Sequence, residues 1–123
     1  MDDFTKAYIE AALWSSTDDS DRPLDSGDYE LAPETLAKME ADCAQFQKEN
    51  VHLITDENCH YKACPVLEYA GHDFWLTRCG HGCGFWDGDW KEPAASQLTT
   101  ASKAFGDIDL YIGDDGLIYQ AQA

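Results

Sequence analysis

Apolar side chains recur at helical spacing in three segments of the chain. In residues 4–14 they form the i, i+3, i+4, i+7 stripe of an amphipathic helix, with acids placed at its N-terminus: Phe4, Ala7, Tyr8, Ala11 and Trp14. Pro33 followed by Glu34 predicts the start of a second helix, whose buried stripe is Leu36, Met39, Cys43 and Phe46. A third main helix is predicted over 94–105, through Leu98, Ala101 and Phe105.

Two other segments have the alternation and the turn residues of β-hairpins. Near the end of the chain, Ile108, Leu110 and Ile112 alternate with other residues, a turn follows at 113–116, and 117–119 returns. Around the central stretch 74–90, the aromatic and β-branched run 72–78 predicts one strand, and residues 85–86 predict its return. Glycines at 80, 82 and 84 suit a tight reversal between them. A shorter helix is expected upstream, capped near Thr55, bent at Pro65 and ended by Gly71.

This order of elements predicts an α+β fold, in which N-terminal helices pack on a small antiparallel sheet built from two β-hairpins separated by a helix. The length of 123 residues suits a single domain over 1–123. Residues 15–30 are polar, acidic and rich in turn formers, and we expect an acidic loop there. A loop of this length is typical of a functional or mobile segment, or of a solvated linker between two helices.

Charge narrows the classes of partner. The chain has 8 Lys and Arg against 24 Asp and Glu, a net charge of −16. Such a field repels nucleic acid and anionic membranes and favours either solubility or a basic protein partner. The first residues lack the basic and apolar regions of a secretion signal, and the five cysteines fit reduced thiols. These features predict a cytoplasmic protein without direct nucleic-acid or membrane binding.

The central stretch also indicates a family. It reads Ala70-Gly-His-Asp-Phe-Trp-Leu-Thr-Arg78, then Gly80-His-Gly-Cys-Gly-Phe-Trp-Asp-Gly-Asp-Trp90, and Gly113-Asp-Asp-Gly-Leu-Ile-Tyr119 follows near the end. With these motifs the chain resembles a family of small acidic proteins of unknown function encoded by tailed bacteriophages. The resemblance implies a phage origin and expression in the cytoplasm of a bacterial host, and it implies no activity. Members of that family usually carry Asn at the position of Cys79.

Metal binding and catalysis are the alternatives. Cys59, Cys64, Cys79 and Cys83, with His81, form two pairs that could bind structural zinc, although their spacing is looser than in zinc knuckles. A nucleophilic Cys79 or Cys83 beside His81 is disfavoured because acidic surroundings raise a thiol pKa. A carboxylate metal hydrolase built from Asp87, Asp89 and Asp114 is a further, weaker alternative. No phosphate-binding glycine loop, GxSxG or HExxH motif is present.

The sequence therefore favours a non-enzymatic protein that binds a host or phage protein. In the specific mechanism we predict, its acids imitate the phosphates of DNA and inhibit a nucleic-acid-binding enzyme, in an anti-defence role. A second hypothesis places an aromatic partner-binding patch at Trp75, Trp86 and Trp90. Of these we expect Trp75 and Trp86 in the core and Trp90 at the surface. The candidate partner-binding residues are Asp18, Asp19, Asp21, Asp87, Asp89, Trp90, Asp107, Asp109, Asp114 and Asp115, with Asp25 and Asp28 also in the loop.

Overall fold

The structure is a computed structural model that describes residues 1–80 and 82–122. Within these ranges, besides one short 3-10 helix, it contains four α-helices and three strands. The helices are α1 (Asp3–Ser15), α2 (Pro33–Asn50), α3 (Val66–Cys79) and α4 (Ala94–Lys103). The strands are β1 (Glu30–Leu31), β2 (Ile108–Ile112) and β3 (Leu117–Gln122). The α+β class is confirmed, and so are α1, α2 with Pro33 in its first turn, α4 and the β2–β3 hairpin.

The central stretch differs from its prediction. Residues 72–79 are the second half of helix α3, where a strand was expected, so the sheet contains one hairpin and not two. The prediction failed because this half of α3 is buried on nearly all sides: every residue from Asp73 to Arg78 is buried. A helix enclosed in this way has no polar face, and its aromatic and β-branched run therefore resembles a strand.

Gly71 explains why α3 continues past the expected end. A Cβ at this position would lie 2.2 Å from the carbonyl oxygen of Phe4, so glycine allows α1 to pack directly against α3. The helix ends at Gly80 instead, whose φ of 68° is left-handed and whose N–H donates to the carbonyl of Leu76. The α1–α3 pair is the most extensive packing between elements described in the structure.

The sheet is mixed and has the order β1-β3-β2. β2 and β3 are antiparallel with Tyr111 opposite Tyr119, and the short β1 adds parallel to β3 with Glu30 opposite Leu117. Ile108, Leu110 and Ile118 face the helices and are buried. β1 therefore joins the end of the acidic loop to the hairpin, which the sequence did not indicate.

A buried cation connects the layers. The guanidinium of Arg78 on α3 donates to Asp42 Oδ2 at 2.9 Å, to the Tyr8 hydroxyl at 2.9 Å and to the carbonyls of Phe105 and Gly106 at 3.0 and 3.1 Å. These partners belong to α2, α1 and the segment that leads into β2. Arg78 thus fixes the start of the hairpin against the helices.

Candidate interaction surface

The acidic loop is organised around Asp18. Its Oδ1 accepts hydrogen bonds from the backbone N–H groups of Ser20 and Arg22 at 2.8 and 3.0 Å. Its Oδ2 accepts from Arg22 Nε at 3.2 Å and from the Tyr29 hydroxyl at 3.3 Å. The bond from the Arg22 N–H is the main cause of a lowered Asp18 pKa. Asp18 was predicted as a partner contact, but its side chain is only 5% exposed and it serves as the internal anchor of the loop.

The rest of the loop is attached to the body of the protein. An isolated bridge pairs Thr17 with Pro23, a 3-10 helix spans Leu24–Ser26, and Leu24 is buried in the core. The other aspartates of the loop face outward, and all four are exposed: Asp19, Asp21, Asp25 and Asp28. Arg22 is the single Lys or Arg between residues 15 and 30, and it is ion-paired with Asp18 and Asp28. The guanidinium of Arg22 is therefore already paired within the loop, and the loop presents its other carboxylates to solvent.

The hairpin carries a second group of exposed acids at Asp107, Asp109, Asp114 and Asp115. Asp115 Oδ2 accepts a hydrogen bond from the Tyr119 hydroxyl at 2.5 Å, and this bond raises the pKa of Tyr119 to about 12. Tyr119 stacks on Tyr111 with 5.8 Å between ring centroids, and Tyr111 is 51% exposed. The outward face of the hairpin is thus both acidic and aromatic.

Pairing of β1 with β3 brings parts of these two groups together. Glu30, at the end of the loop, lies beside Leu117, which immediately follows the hairpin turn that carries Asp114 and Asp115. We call the exposed acids of the loop and of the hairpin, with Tyr111, the acidic surface. Asp87, Asp89 and Trp90 are carried instead by the segment between α3 and α4.

Trp90 was predicted at the surface, and this prediction is wrong. The side chain is 3% exposed, and its ring lies 5.3 Å from that of Phe85. Its Nε1 donates to Asp73 Oδ2 at 2.7 Å. Because a buried carboxylate satisfies the indole N–H, the whole ring can enter the core. The neighbouring charged residues Asp89 and Lys91, which suggested an exposed position, are not buried with it.

The prediction for Trp86 is also wrong, in the opposite sense. It was expected in the core but is 54% exposed and lines a shallow groove against α4. Trp75 is fully buried as predicted, with its Nε1 donating to Ser15 Oγ at 2.8 Å. An aromatic contact surface in this region would therefore be centred on Trp86 and not on Trp90.

Asp87 and Asp89 help to hold their own segment. Asp87 Oδ2 accepts from the Gly84 N–H at 3.2 Å, and Asp89 accepts from the Tyr69 hydroxyl. Asp89 is half-buried, whereas Asp87 is exposed. Asp89 thus joins the segment to Tyr69 on α3, whereas Asp87 closes a turn within the segment and faces solvent.

Asp73 is a buried carboxyl that sequence reasoning did not assign to the interior. Burial raises its pKa to about 7; the negative charges of Asp87 and Asp89 add to that rise, and the bond from Trp90 opposes it. The only signal in the sequence was its position between His72 and the apolar run 74–76. Its contact with Trp90 is a buried structural hydrogen bond.

The cysteines do not converge on a metal site in the part of the chain that is described. No three His, Cys, Asp or Glu side chains there are placed to hold a metal ion. Burial raises the pKa of Cys59, Cys64 and Cys83, and nearby carboxylates raise it further. Cys79 Sγ donates to the Leu76 carbonyl of its own helix at 3.7 Å. His81, the fifth candidate ligand, lies outside the described residues.

None of the helices in the described ranges is long and apolar enough to cross a membrane. Comparison of the chain with protein-family models, with curated proteins and with solved structures gives no match.

Proposed function

We propose that this is a non-enzymatic acidic protein that binds a basic surface of a host or phage protein in a phage-infected bacterial cytoplasm. The acidic surface is the contact region. By imitating the phosphate ladder of DNA, it occupies the nucleic-acid groove of its partner and inhibits that partner, as an anti-defence protein would. The proposal places Asp19, Asp21, Asp25, Asp107 and Asp114 at the contact.

One observation carries the proposal: the loop and the hairpin, which supply the acids of this surface, contain no Lys and a single Arg. Residues 107–122 contain four Asp and no Lys or Arg. In the loop, Arg22 is paired internally, and the other arginine of the chain, Arg78, is buried against Asp42. Apart from Asp28, which pairs with Arg22, none of the exposed Asp of this surface makes an ion pair with a described residue, and their field is directed outward.

Charge complementarity of this kind gives both attraction and specificity. A groove that binds DNA is lined by Lys and Arg and attracts any ordered array of negative charge. Anchoring of the loop by Asp18 and Leu24 and pairing of β1 with β3 place the acids in defined positions, so that less conformational entropy is lost on binding. Structured carboxylates therefore compete for such a groove better than a disordered acidic tail would.

The test compares two matched variants with the wild type. In one, three exposed acids of the loop are neutralised: Asp19→Asn, Asp21→Asn and Asp25→Asn. In the control, three exposed acids elsewhere are neutralised: Glu40→Gln, Glu49→Gln and Glu57→Gln. Each protein is immobilised and exposed to bacterial lysate, bound proteins are eluted with a salt gradient, and short duplex DNA is then added as a competitor.

We expect nucleic-acid-binding proteins that elute at moderate salt, are displaced by the duplex, and are retained by the control but not by the loop variant. A partner that resists both high salt and the duplex and is retained equally by the three proteins would refute the proposal. In that case the exposed Trp86 would become the surface to examine, through Trp86→Ala. Retention that depends on the loop acids but is insensitive to the duplex would leave acidic binding in place and exclude DNA mimicry.

A further inference from the structure

The outer side of β2 is an open edge of the sheet and is longer than the other edge, which the two-residue β1 forms. In the order β1-β3-β2, β2 pairs with β3 on one side, and no described strand lies on its other side. Open edges present backbone groups that can pair with another extended chain. The edge is five residues long, from Ile108 to Ile112, which is an ordinary strand length.

The register shows which backbone groups face outward. The Gly113 N–H donates to the Leu117 carbonyl at 2.8 Å, so these two residues form a hydrogen-bonded pair. Hydrogen-bonded and non-bonded pairs alternate in an antiparallel ladder. Tyr111 and Asp109 therefore direct their backbone groups to β3, whereas Ile108, Leu110 and Ile112 direct theirs to the open edge.

An independent contact supports this register. Ile118 lies opposite Ile112, and its carbonyl accepts from the Ala32 N–H at 3.0 Å on the β1 side. A residue whose carbonyl faces β1 is in a non-bonded pair with β2. The backbone groups of Ile112, the residue opposite Ile118, then also point away from the β2–β3 ladder, toward the open edge.

The central donor of this edge is covered by a charged side chain. The Leu110 N–H donates to Oδ1 of Asp109, the exposed neighbouring residue, at 3.0 Å. A carboxylate held there blocks an incoming neutral or acidic strand, because pairing would leave the charge without a partner. A strand that carries Lys or Arg can instead pair with Asp109 and draw it away from the Leu110 N–H.

The side chains beside the edge favour the same occupant. Asp109 and the exposed Tyr111 alternate outward along β2, with Asp107 before the strand and Asp114 in the turn after it. Carboxylates attract Lys and Arg, and the face of a tyrosine ring is a favourable contact for either cation. An alternating cationic strand would therefore meet complementary groups along its whole length.

A second copy of this chain is a poor occupant. Antiparallel pairing of two β2 strands about Leu110 would place Asp107 of one copy opposite Gly113 of the other, next to its Asp114. Each copy also carries a net charge of −16. Repulsion between like charges opposes that pairing, and a basic partner removes it.

We propose that the open edge of β2 is the docking site for an extended, Lys- or Arg-rich segment of the partner protein, which adds a fourth strand to the sheet. This inference rests on the proposed function and specifies how the partner binds. Main-chain hydrogen bonds to Ile108, Leu110 and Ile112 supply pairing, and Asp109 with Tyr111 selects the cationic side chains.

The probe is a synthetic peptide of about ten residues in which lysine and valine alternate. A control peptide of the same sequence is N-methylated at alternate backbone nitrogens, which keeps the charge and removes the donors of one edge. Affinities are measured at low and high salt by fluorescence anisotropy. Exchange of the Leu110 amide hydrogen is followed by NMR, and the variants Asp109→Asn and Glu40→Gln, a matched exposed acid on α2, are compared.

We expect the unmodified peptide to bind at least about tenfold more tightly than the N-methylated one. The Leu110 amide should become protected, and Asp109→Asn should weaken binding more than Glu40→Gln does. Equal, salt-sensitive binding of both peptides would overturn the docking site while leaving the proposed function intact. Absence of binding by either peptide at low salt would overturn both, and Leu110 protection with dimerisation in the absence of peptide would show that a second copy occupies the edge.

Discussion

Asp73→Asn tests the energetic cost of the buried carboxyl beneath the 83–90 segment. The group is buried with one hydrogen bond from Trp90, and its pKa rises from 3.8 to about 7. An Asp whose pKa is raised on folding binds its proton more tightly in the native state. Its contribution to the stability of the fold therefore decreases with pH. The contribution is greatest below the pKa of Asp73 in the unfolded chain and is lost as pH rises toward its pKa in the folded protein.

The size of the pH-dependent change in stability follows from the change in the Asp73 pKa. One pKa unit corresponds to about 1.4 kcal/mol, so a change from 3.8 to about 7 amounts to roughly 4 kcal/mol over the whole window. Between about pH 5 and pH 8, where the protein is more easily handled, the same linkage gives about 2 to 3 kcal/mol. Asparagine can still accept from the Trp90 indole and has no charge to bury, so Asp73→Asn removes this dependence.

The assay is urea unfolding of wild type and Asp73→Asn at a series of pH values, with the exposed Glu40→Gln as control. Subtracting the two free energies of unfolding cancels the titration of the other acids that the two proteins share. We expect the variant to gain stability relative to wild type as pH rises, and the control to show no such trend. A difference that does not change with pH would refute the assignment of Asp73 as a buried carboxyl with a raised pKa.

Three further substitutions test the packing. Arg78→Met should cost about 3 kcal/mol or more in urea unfolding, because it leaves Asp42 and two carbonyls unpaired, whereas Lys103→Met at the exposed end of α4 should cost little. Gly71→Ala should lower the melting temperature, because the added Cβ would overlap the Phe4 carbonyl. Helix propensity alone predicts the opposite, a gain in stability of up to about 1 kcal/mol. A higher melting temperature would therefore contradict the close contact between α1 and α3. Gln120→Leu should stabilise by about 1 kcal/mol in the same assay, because no described residue hydrogen-bonds the buried amide of Gln120, and a loss of stability would show that this amide has a structural role.

Periodicity predicted the elements that have one buried and one exposed face. Phe4, Tyr8 and Ala11 mark the buried side of α1, and Ile108 and Leu110 mark that of β2. It failed for α3, where Asp73 and Arg78 are buried together with the aromatic residues between them. A charged residue in such a run suggests a surface, and only partners from other parts of the chain, here Trp90 for Asp73 and Asp42 for Arg78, make its burial stable.

The candidate site was predicted as a set of acids, and its members proved to have different roles. Asp18 anchors the loop and Asp89 accepts from Tyr69, whereas Asp19, Asp21 and Asp107 face solvent. These acids occur in similar polar surroundings in the sequence, so no local pattern separates them. Asp18 is held by the nearby Ser20 and Arg22 N–H groups, whereas Asp89 depends on Tyr69, 20 positions away.

The sequence by itself determined the net charge of −16, the α+β class and the stripes that bury α1, α2 and β2, because charge is a sum over residues and periodicity is local. The tertiary structure decided which carboxylates face outward, which tryptophans are exposed and which strands form the edges of the sheet. Each of these depends on contacts between segments distant in sequence, such as Trp90 with Asp73 and β1 with β3. Burial of a polar group is stable only where such a contact replaces water, and for that reason the fold, and not the local sequence, selects the surface available to a partner.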